Sequence, residues 1–206
     1  MAPPEAITWC RSNRRTIIYP HVLGAFLKIP AVSAKRRPQL RVLMVCMGNI
    51  CRSPTAEAVL RFKLEQAGLD PWVVVDSAGT HGAHVGSPPD ERSQTHAERR
   101  GYKLSHLRAR KVQENDFNDF DLILAMDWDN LALLQKACPH AIGQTKLRRL
   151  TEFIPPRSPF VGAEVVGDPY YGGAEGFEAV LNLVESACDG VLEHLHQRLR
   201  SMTIKS

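Results

Sequence analysis

Five residues, Met47-Gly48-Asn49-Ile50-Cys51, separate Cys46 from Arg52, and Ser53-Pro54 follows. The apolar run Val42-Leu43-Met44-Val45 leads into the cysteine. An apolar run, a short glycine-containing loop and then Ser-Pro read as strand, tight loop and helix N-terminus. Loop amides and the helix dipole then point at one spot, which suits an anion such as phosphate. A cysteine in that field, close to a guanidinium, is favoured as the thiolate. An anion site that contains such a nucleophile is built to take a phosphoryl group onto sulfur. Of the five cysteines, Cys46 alone has arginine six positions on and sits at a strand end before Ser-Pro. The competing role for such a residue is burial at the end of a core strand.

The rest of the chain alternates strand and helix. Leu40 to Val45 reads as a buried strand, and the helix opened by Ser53-Pro54 carries Leu60, Leu64 and Ala67 before Gly68 stops it. Trp72 to Val75 is a second strand, Gly79 to Pro89 a loop, and Asp90 to Arg100 a polar-faced helix ended by Gly101. Leu122 to Met126 is a third strand. Asp127 or Asp129 can cap a helix through Leu131, Leu134 and Ala137, halted by Cys138-Pro139. Residues 155–173 form a long loop rich in proline and glycine. Phe177, Val180, Leu181, Val184, Val191, Leu192, Leu195 and Leu199 then mark a long amphipathic helix. Strand–helix alternation implies a parallel sheet with helices on both faces, and ligands in such folds sit at the carboxyl ends of the strands. Cys46 lies at the end of the first one.

Composition narrows the function classes. Residues 1–41 hold eight Lys/Arg and one acid, a charge of +7, while the remaining 18 basic and 21 acidic residues give −3. The body therefore lacks the basic bias of a nucleic-acid binder. Pro3, Pro4, Pro20, Pro30 and Pro38 break residues 1–38, which read as a basic, poorly ordered extension before a domain over 39–202. No apolar stretch is long enough for a membrane span. Cys46 and Cys51 are isolated from other Cys or His ligands, so no zinc site is expected. The odd cysteine count reads as a reducing, cytoplasmic compartment with thiols kept for chemistry. The close spacing of Cys46 and Cys51 lets Cys51 capture an oxidised Cys46 as a disulfide, although packing alone also explains Cys51.

Taken together, the motifs resemble the low-molecular-weight protein tyrosine phosphatases over roughly residues 40–200. Val45 to Pro54 looks like the phosphate-binding loop. Ser77-Ala78-Gly79-Thr80 with His84-Val85-Gly86 looks like the loop beside the substrate ring, and Ser105-His106 with Arg108-Ala109-Arg110 like a supporting segment. Met126-Asp127 resembles the family's strand-end pair and Asp168-Pro169-Tyr170-Tyr171 its general-acid loop. The resemblance implies a single three-layer α/β/α domain with a central four-stranded parallel sheet, and hydrolysis of phosphotyrosine in proteins without a cofactor or metal. Cys46 would be the nucleophile, Arg52 the phosphate clamp and Asp168 the general acid and base. Met47, Gly48, Asn49, Ile50, Cys51 and Ser53 would bind the phosphate, with Ser53 bonding the thiolate and Asn49 bracing the loop in the left-handed region. Tyr170 and Tyr171 would flank the ring, and His106 and Asp127 would support the loop from behind. Members commonly carry the second cysteine, which favours the redox role of Cys51.

Two departures bear on specificity. Ala83 stands where relatives often carry an aromatic, leaving one wall of the ring slot open. Ile50 stands where relatives acting on phosphoarginine tend to carry threonine, which favours an aryl phosphate. An arsenate reductase on the same fold would need two further relay cysteines, and none occurs between Cys51 and Cys138. A binding module without catalysis would be expected to lack the nucleophile or the acid. A monomer or weak self-association is expected.

Overall fold

The computed structural model describes residues 39–204, so the extension expected over 1–38 lies outside the described residues. The elements are β1 (Leu40–Cys46), α1 (Arg52–Ala67), β2 (Val73–Gly79), α2 (Glu91–Arg99), α3 (Asp116–Asp119), β3 (Leu122–Ala125), α4 (Trp128–Ala137), α5 (Ala141–Gln144), β4 (Leu147–Arg149) and α6 (Ala174–Ile204). A 3₁₀ turn, Leu150–Phe153, follows β4.

The four strands are parallel in the order β2-β1-β3-β4, which puts β1 inside the sheet. Its residues Leu40 and Val42 to Val45 are fully buried, as an interior parallel strand covered on both faces requires. On one face Leu43, Val45, Ala78, Ile123 and Ala125 pack with Phe117, Phe120, Leu131 and Leu134 from α3, α4 and their connections. On the other, α1 lies along β1 and β2, and α6 packs over α1. The result is the expected three-layer domain.

Local signals set the ends of the elements. Gly68 closes α1 in the left-handed region at φ 66°, its N–H reaching Glu65 O at 3.1 Å while Leu69 N–H reaches Leu64 O at 2.9 Å. Asp90 caps α2 by accepting from Arg92 N at 2.8 Å. Of the two candidate caps for α4, Asp127 is the one used, accepting from Asn130 N at 2.7 Å.

The short helices α3 and α5 lie outside the sequence expectation, and two strands differ from it by more than an end residue. β2 runs four residues past Val75, through Asp76-Ser77-Ala78-Gly79, because β1 pairs with it along its whole length up to Cys46 opposite Gly79. The polar pair that ended the apolar run is tolerated because Ser77 and Asp76 find partners, Glu57 and Arg110. The fourth strand, Leu147-Arg148-Arg149, escaped the strand pattern because it is three residues long, lies at the sheet edge and buries only Leu147.

The end of β2 also anchors the loop after β1. A Cβ on Gly79 would lie 2.7 Å from Met47 O and 2.9 Å from His81 O, so only glycine lets the two backbones approach. Gly79→Ala should therefore push the Cys46–Arg52 loop out of place. A loss of about 1–3 kcal/mol in denaturant unfolding is expected, with a fall in turnover beyond what the unfolded fraction explains.

Candidate active site

The loop between β1 and α1 curls because its carbonyls are bound from outside. Thr80 N donates to Cys46 O at 2.9 Å, His81 N to Met47 O at 3.0 Å and Asp90 N to Ile50 O at 2.8 Å. In a trans peptide the next residue's N–H points opposite the carbonyl. Three outward carbonyls therefore turn the amides of Met47, Gly48 and Cys51 towards the concave side. Asn49 makes the bend, with φ 56° in the left-handed region that asparagine tolerates. The N-terminus of α1 opens onto the same concavity and adds its dipole.

At the centre is the Cys46 sulfur. Ser53 Oγ lies 3.0 Å from it and Asn49 N donates to it at 3.3 Å. Asn49 Nδ2 donates to Ser53 Oγ at 2.9 Å and to Ser77 Oγ at 2.8 Å, while Asn49 Oδ1 accepts from Arg110 N at 2.9 Å. The expected roles of Ser53 and Asn49 thus have bonds to carry them.

Arg52, 3 % exposed, is the main positive charge of the cavity. It pairs with Asp127 and donates to Val166 O at 3.2 Å and to Asp168 Oδ2 at 2.7 Å. Nη1 is taken by Asp127 and Val166 O and one Nη2 hydrogen by Asp168, so the buried Nε, which has no hydrogen-bond partner among the described residues, and the second Nη2 hydrogen remain for two oxygens of an oxyanion. Burial alone would lower its pKa, but the Cys46 sulfur, Asp127 and Asp168 together raise it. Arg52 is therefore a permanent cation.

Cys46, Met47, Gly48, Ile50, Cys51, Arg52, Asp168, Tyr170 and Tyr171 line one cavity of about 200 Å³. Tyr170 and Tyr171 meet edge to face at 5.0 Å, and the Arg92 guanidinium lies 5.6 Å over the Tyr170 ring. Arg92 is itself gripped by Asp90 through contacts of 3.0 and 2.8 Å. The acid loop is turned by Tyr170 N donating to Asp168 Oδ1 at 3.1 Å. Cys51 stands at the helix start as a buried thiol pushed up to about 12, by burial above all, with Ser93 as a hydrogen-bond partner that opposes the shift.

Asp127 does two jobs, capping α4 and binding Arg52. His106 does not support the loop: it lies exposed in the turn before Arg108, outside the hydrogen-bond network of Asn49. The segment acts through Arg110 instead, whose backbone N–H holds Asn49 and whose side chain binds Asp76 and Asp116. A lone histidine in a motif carries no signal of which way it faces. His84, in the segment expected beside the substrate ring though not singled out as a site residue, lines the cavity. It forms the wall beside Gly48, whose added Cβ would meet His84 Cδ2 at 3.0 Å.

Replacing Arg52 by lysine keeps the charge but offers one ammonium where Asp127, Val166 O and Asp168 now share a planar fork. Arg52→Lys should lower kcat/KM by about 10²–10³, the usual loss for a donor aimed at a transition-state oxyanion. Steady-state kinetics on an aryl phosphate checks this.

Comparison with known proteins agrees with this geometry. Residues 41–201 match the model of the low molecular weight phosphotyrosine protein phosphatase family. The low molecular weight protein-tyrosine-phosphatase of Streptomyces coelicolor is 42% identical over 160 residues, covering 77% of this chain and 95% of that protein. The low molecular weight phosphotyrosine protein phosphatase of Homo sapiens is 39% identical over 156 residues, covering 75% and 95%. Among solved structures, a protein tyrosine phosphatase of Entamoeba histolytica matches with a TM-score of 0.73 at 36% identity, covering 77% of this chain and 98% of that one. YfkJ of Bacillus subtilis matches at 0.72 and 36% identity, covering 80% and 99%. With Cys46, Arg52 and Asp168 in one cavity of a four-stranded parallel α/β domain, the chain belongs to the low molecular weight phosphotyrosine protein phosphatase family, a family of phosphatase enzymes.

Proposed function

We propose that this enzyme hydrolyses phosphotyrosine in proteins through a phosphocysteine intermediate. The observation that carries the reading is the convergence on one cavity of Cys46 and Arg52, at the two ends of the β1–α1 loop, with Asp168 from the distant loop before α6. The phosphate sits in the loop with two oxygens on the Arg52 fork, and the Cys46 thiolate attacks phosphorus. As the S–P bond forms, the P–O bond to tyrosine breaks and the Asp168 carboxyl gives its proton to the departing phenolate. Water then attacks phosphorus, its proton passes to the Asp168 carboxylate, the S–P bond breaks and the thiolate returns. Ser53 steadies the sulfur in both steps.

Specificity follows from the walls. The cavity is flanked by the rings of Tyr170, Tyr171 and His84 and by apolar Ile50, which suits a flat aryl group. Cys51 shares the cavity. A sulfenic acid formed on Cys46 by peroxide would lose water to the Cys51 thiol and give a disulfide, which thiols reverse.

Two substitutions test the chemistry. Cys46→Ser removes the nucleophile but not the cradle. Turnover should vanish while inorganic phosphate still binds, as isothermal calorimetry can record; a variant that kept a tenth of wild-type turnover would rule out the phosphocysteine. Asp168→Asn removes the proton donor at nearly constant volume. Turnover of phosphotyrosine should fall by about 10²–10⁴, and the loss should shrink for esters with very acidic phenols. An equal loss across leaving groups would point to a structural role for Asp168.

A further inference from the structure

A cluster of side chains holds the acid loop from outside the cavity. Residues 126–128, at the turn from β3 into α4, each make one contact around that loop. Met126 O accepts from Val166 N at 2.8 Å, and Asp127 pairs with Arg52. Trp128, half-exposed, meets the Arg149 guanidinium, which lies 3.6 Å from the centre of its ring. The Trp128 indole N–H donates to Glu164 Oε2 at 3.2 Å. Arg149 Nη1 donates to Glu164 O at 2.7 Å, and Thr151 Oγ donates to the same carbonyl at 2.8 Å. Side chains from α4, β4 and the 3₁₀ turn thus meet on one residue of the loop.

The ring decides where the guanidinium sits. Arg149 Nε is buried without a hydrogen-bond partner among the described residues, and Glu152 Oε1, 3.7 Å away, is too far to accept from it. That oxygen takes the Arg149 backbone N–H at 2.8 Å instead. No carboxylate fork therefore fixes the guanidinium; the face of the Trp128 ring does, through the attraction of a cation to an aromatic face. Beyond Glu164 the chain has little slack. Val166 is buried and held at both ends, its N–H on Met126 O and its C=O on Arg52 Nη1. Asp168 follows two residues later, at most about 7 Å of extended chain. Gly167 between them meets nothing that would fix it, since an added Cβ there would have no atom within 4 Å. The place of Asp168 therefore depends on how firmly Glu164 and Val166 are held.

We infer that Trp128 and Arg149 are positioning residues for Asp168: ring and guanidinium together strap Glu164 to the end of the sheet where β3 and β4 finish, and this keeps Val166 and Asp168 against Arg52. For its effect on rate the inference rests on the reading of Asp168 as the proton donor; the strap itself is a matter of contacts. Neither residue lines the cavity. A half-exposed ring also adds little to the core, so the contacts of Trp128 serve the loop more than the fold.

Trp128→Ala removes both the ring and the indole N–H, and two measurements read the result. The first is amide hydrogen exchange followed by NMR. The amides of Val166 and of Tyr170, whose N–H binds Asp168 Oδ1, should exchange about 10-fold faster, while those of Thr80 and His81, which hold the β1–α1 loop, keep their rates. The second is kinetics. The kcat for phosphotyrosine should fall about 10-fold with KM nearly unchanged, a part of the roughly 10²–10⁴ that a general acid supplies, and the loss should vanish for esters of very acidic phenols. Trp128→Phe keeps a ring for Arg149 and should recover most of the rate. In an Asp168→Asn background Trp128→Ala should cost nothing further, because both act through one carboxyl. Unchanged exchange at Val166 and Tyr170, a wild-type kcat, or a loss that adds to that of Asp168→Asn overturns the inference. If Trp128→Ala fails to fold, Arg149→Lys, which loosens the same contact from the other side, is read by the same criteria. An Asp168→Asn loss that is equal across leaving groups counts against the proton donor alone. Exchange then still judges the strap, faster rates supporting it and unchanged rates overturning it.

Discussion

The structure is organised around one buried cation. A guanidinium taken out of water needs compensating acceptors, because the desolvation of an isolated charge is far larger than any single contact repays. Arg52 finds them in three places: Asp127 at the start of α4, Val166 O, and Asp168 in the long loop before α6. These partners lie 75 to 116 residues from Arg52 along the chain, and the need to satisfy one side chain brings them to the mouth of the β1–α1 loop. The parallel sheet makes the meeting possible by delivering the ends of β1 and β3 side by side, Val45 opposite Ala125. Thus an electrostatic requirement places the acid loop, which has no regular structure of its own.

The legible part of the sequence was the part whose meaning is local. The apolar run into Cys46, the Ser53-Pro54 helix start and the glycine at 68 each act within a few residues, and each appears in the structure where the pattern put it. The order of separated motifs carried the family. The unread parts depend on distant partners. β2 continues through polar residues because β1 is beside it, and Leu147–Arg149 is a strand only because β3 offers an edge. His106 shows the opposite failure: a residue type suited to a network, in a promising segment, turned towards solvent.

Glu57 could not be found from spacing, and for His84 the ring-flanking motif marked the segment but not the direction of the side chain. Glu57 reads as an ordinary helical acid four residues before Arg61, the pattern of a solvated surface pair. Its burial follows from the packing of α1 on β2, which sets Ser77 against it. His84 lies in a loop whose tight turns leave its direction open to contacts, and Gly48 supplies the space it leans into. In both cases the decisive fact is a neighbour far along the chain.

The contact of Gly79 with the Met47 carbonyl has a consequence for how the molecule becomes reactive. The last rung of the β1–β2 ladder, Cys46 opposite Gly79, is also the first support of the loop. Loop and sheet therefore form one cooperative unit, and the loop cannot close on a molecule in which these strands have not yet paired in register. The sulfur of a partly folded chain lacks the inward amides, the Ser53 hydroxyl and the nearby guanidinium. Its chemistry thus switches on with the final rung of the sheet, so that the reactivity of this thiol reports native strand pairing during synthesis, refolding or thermal stress.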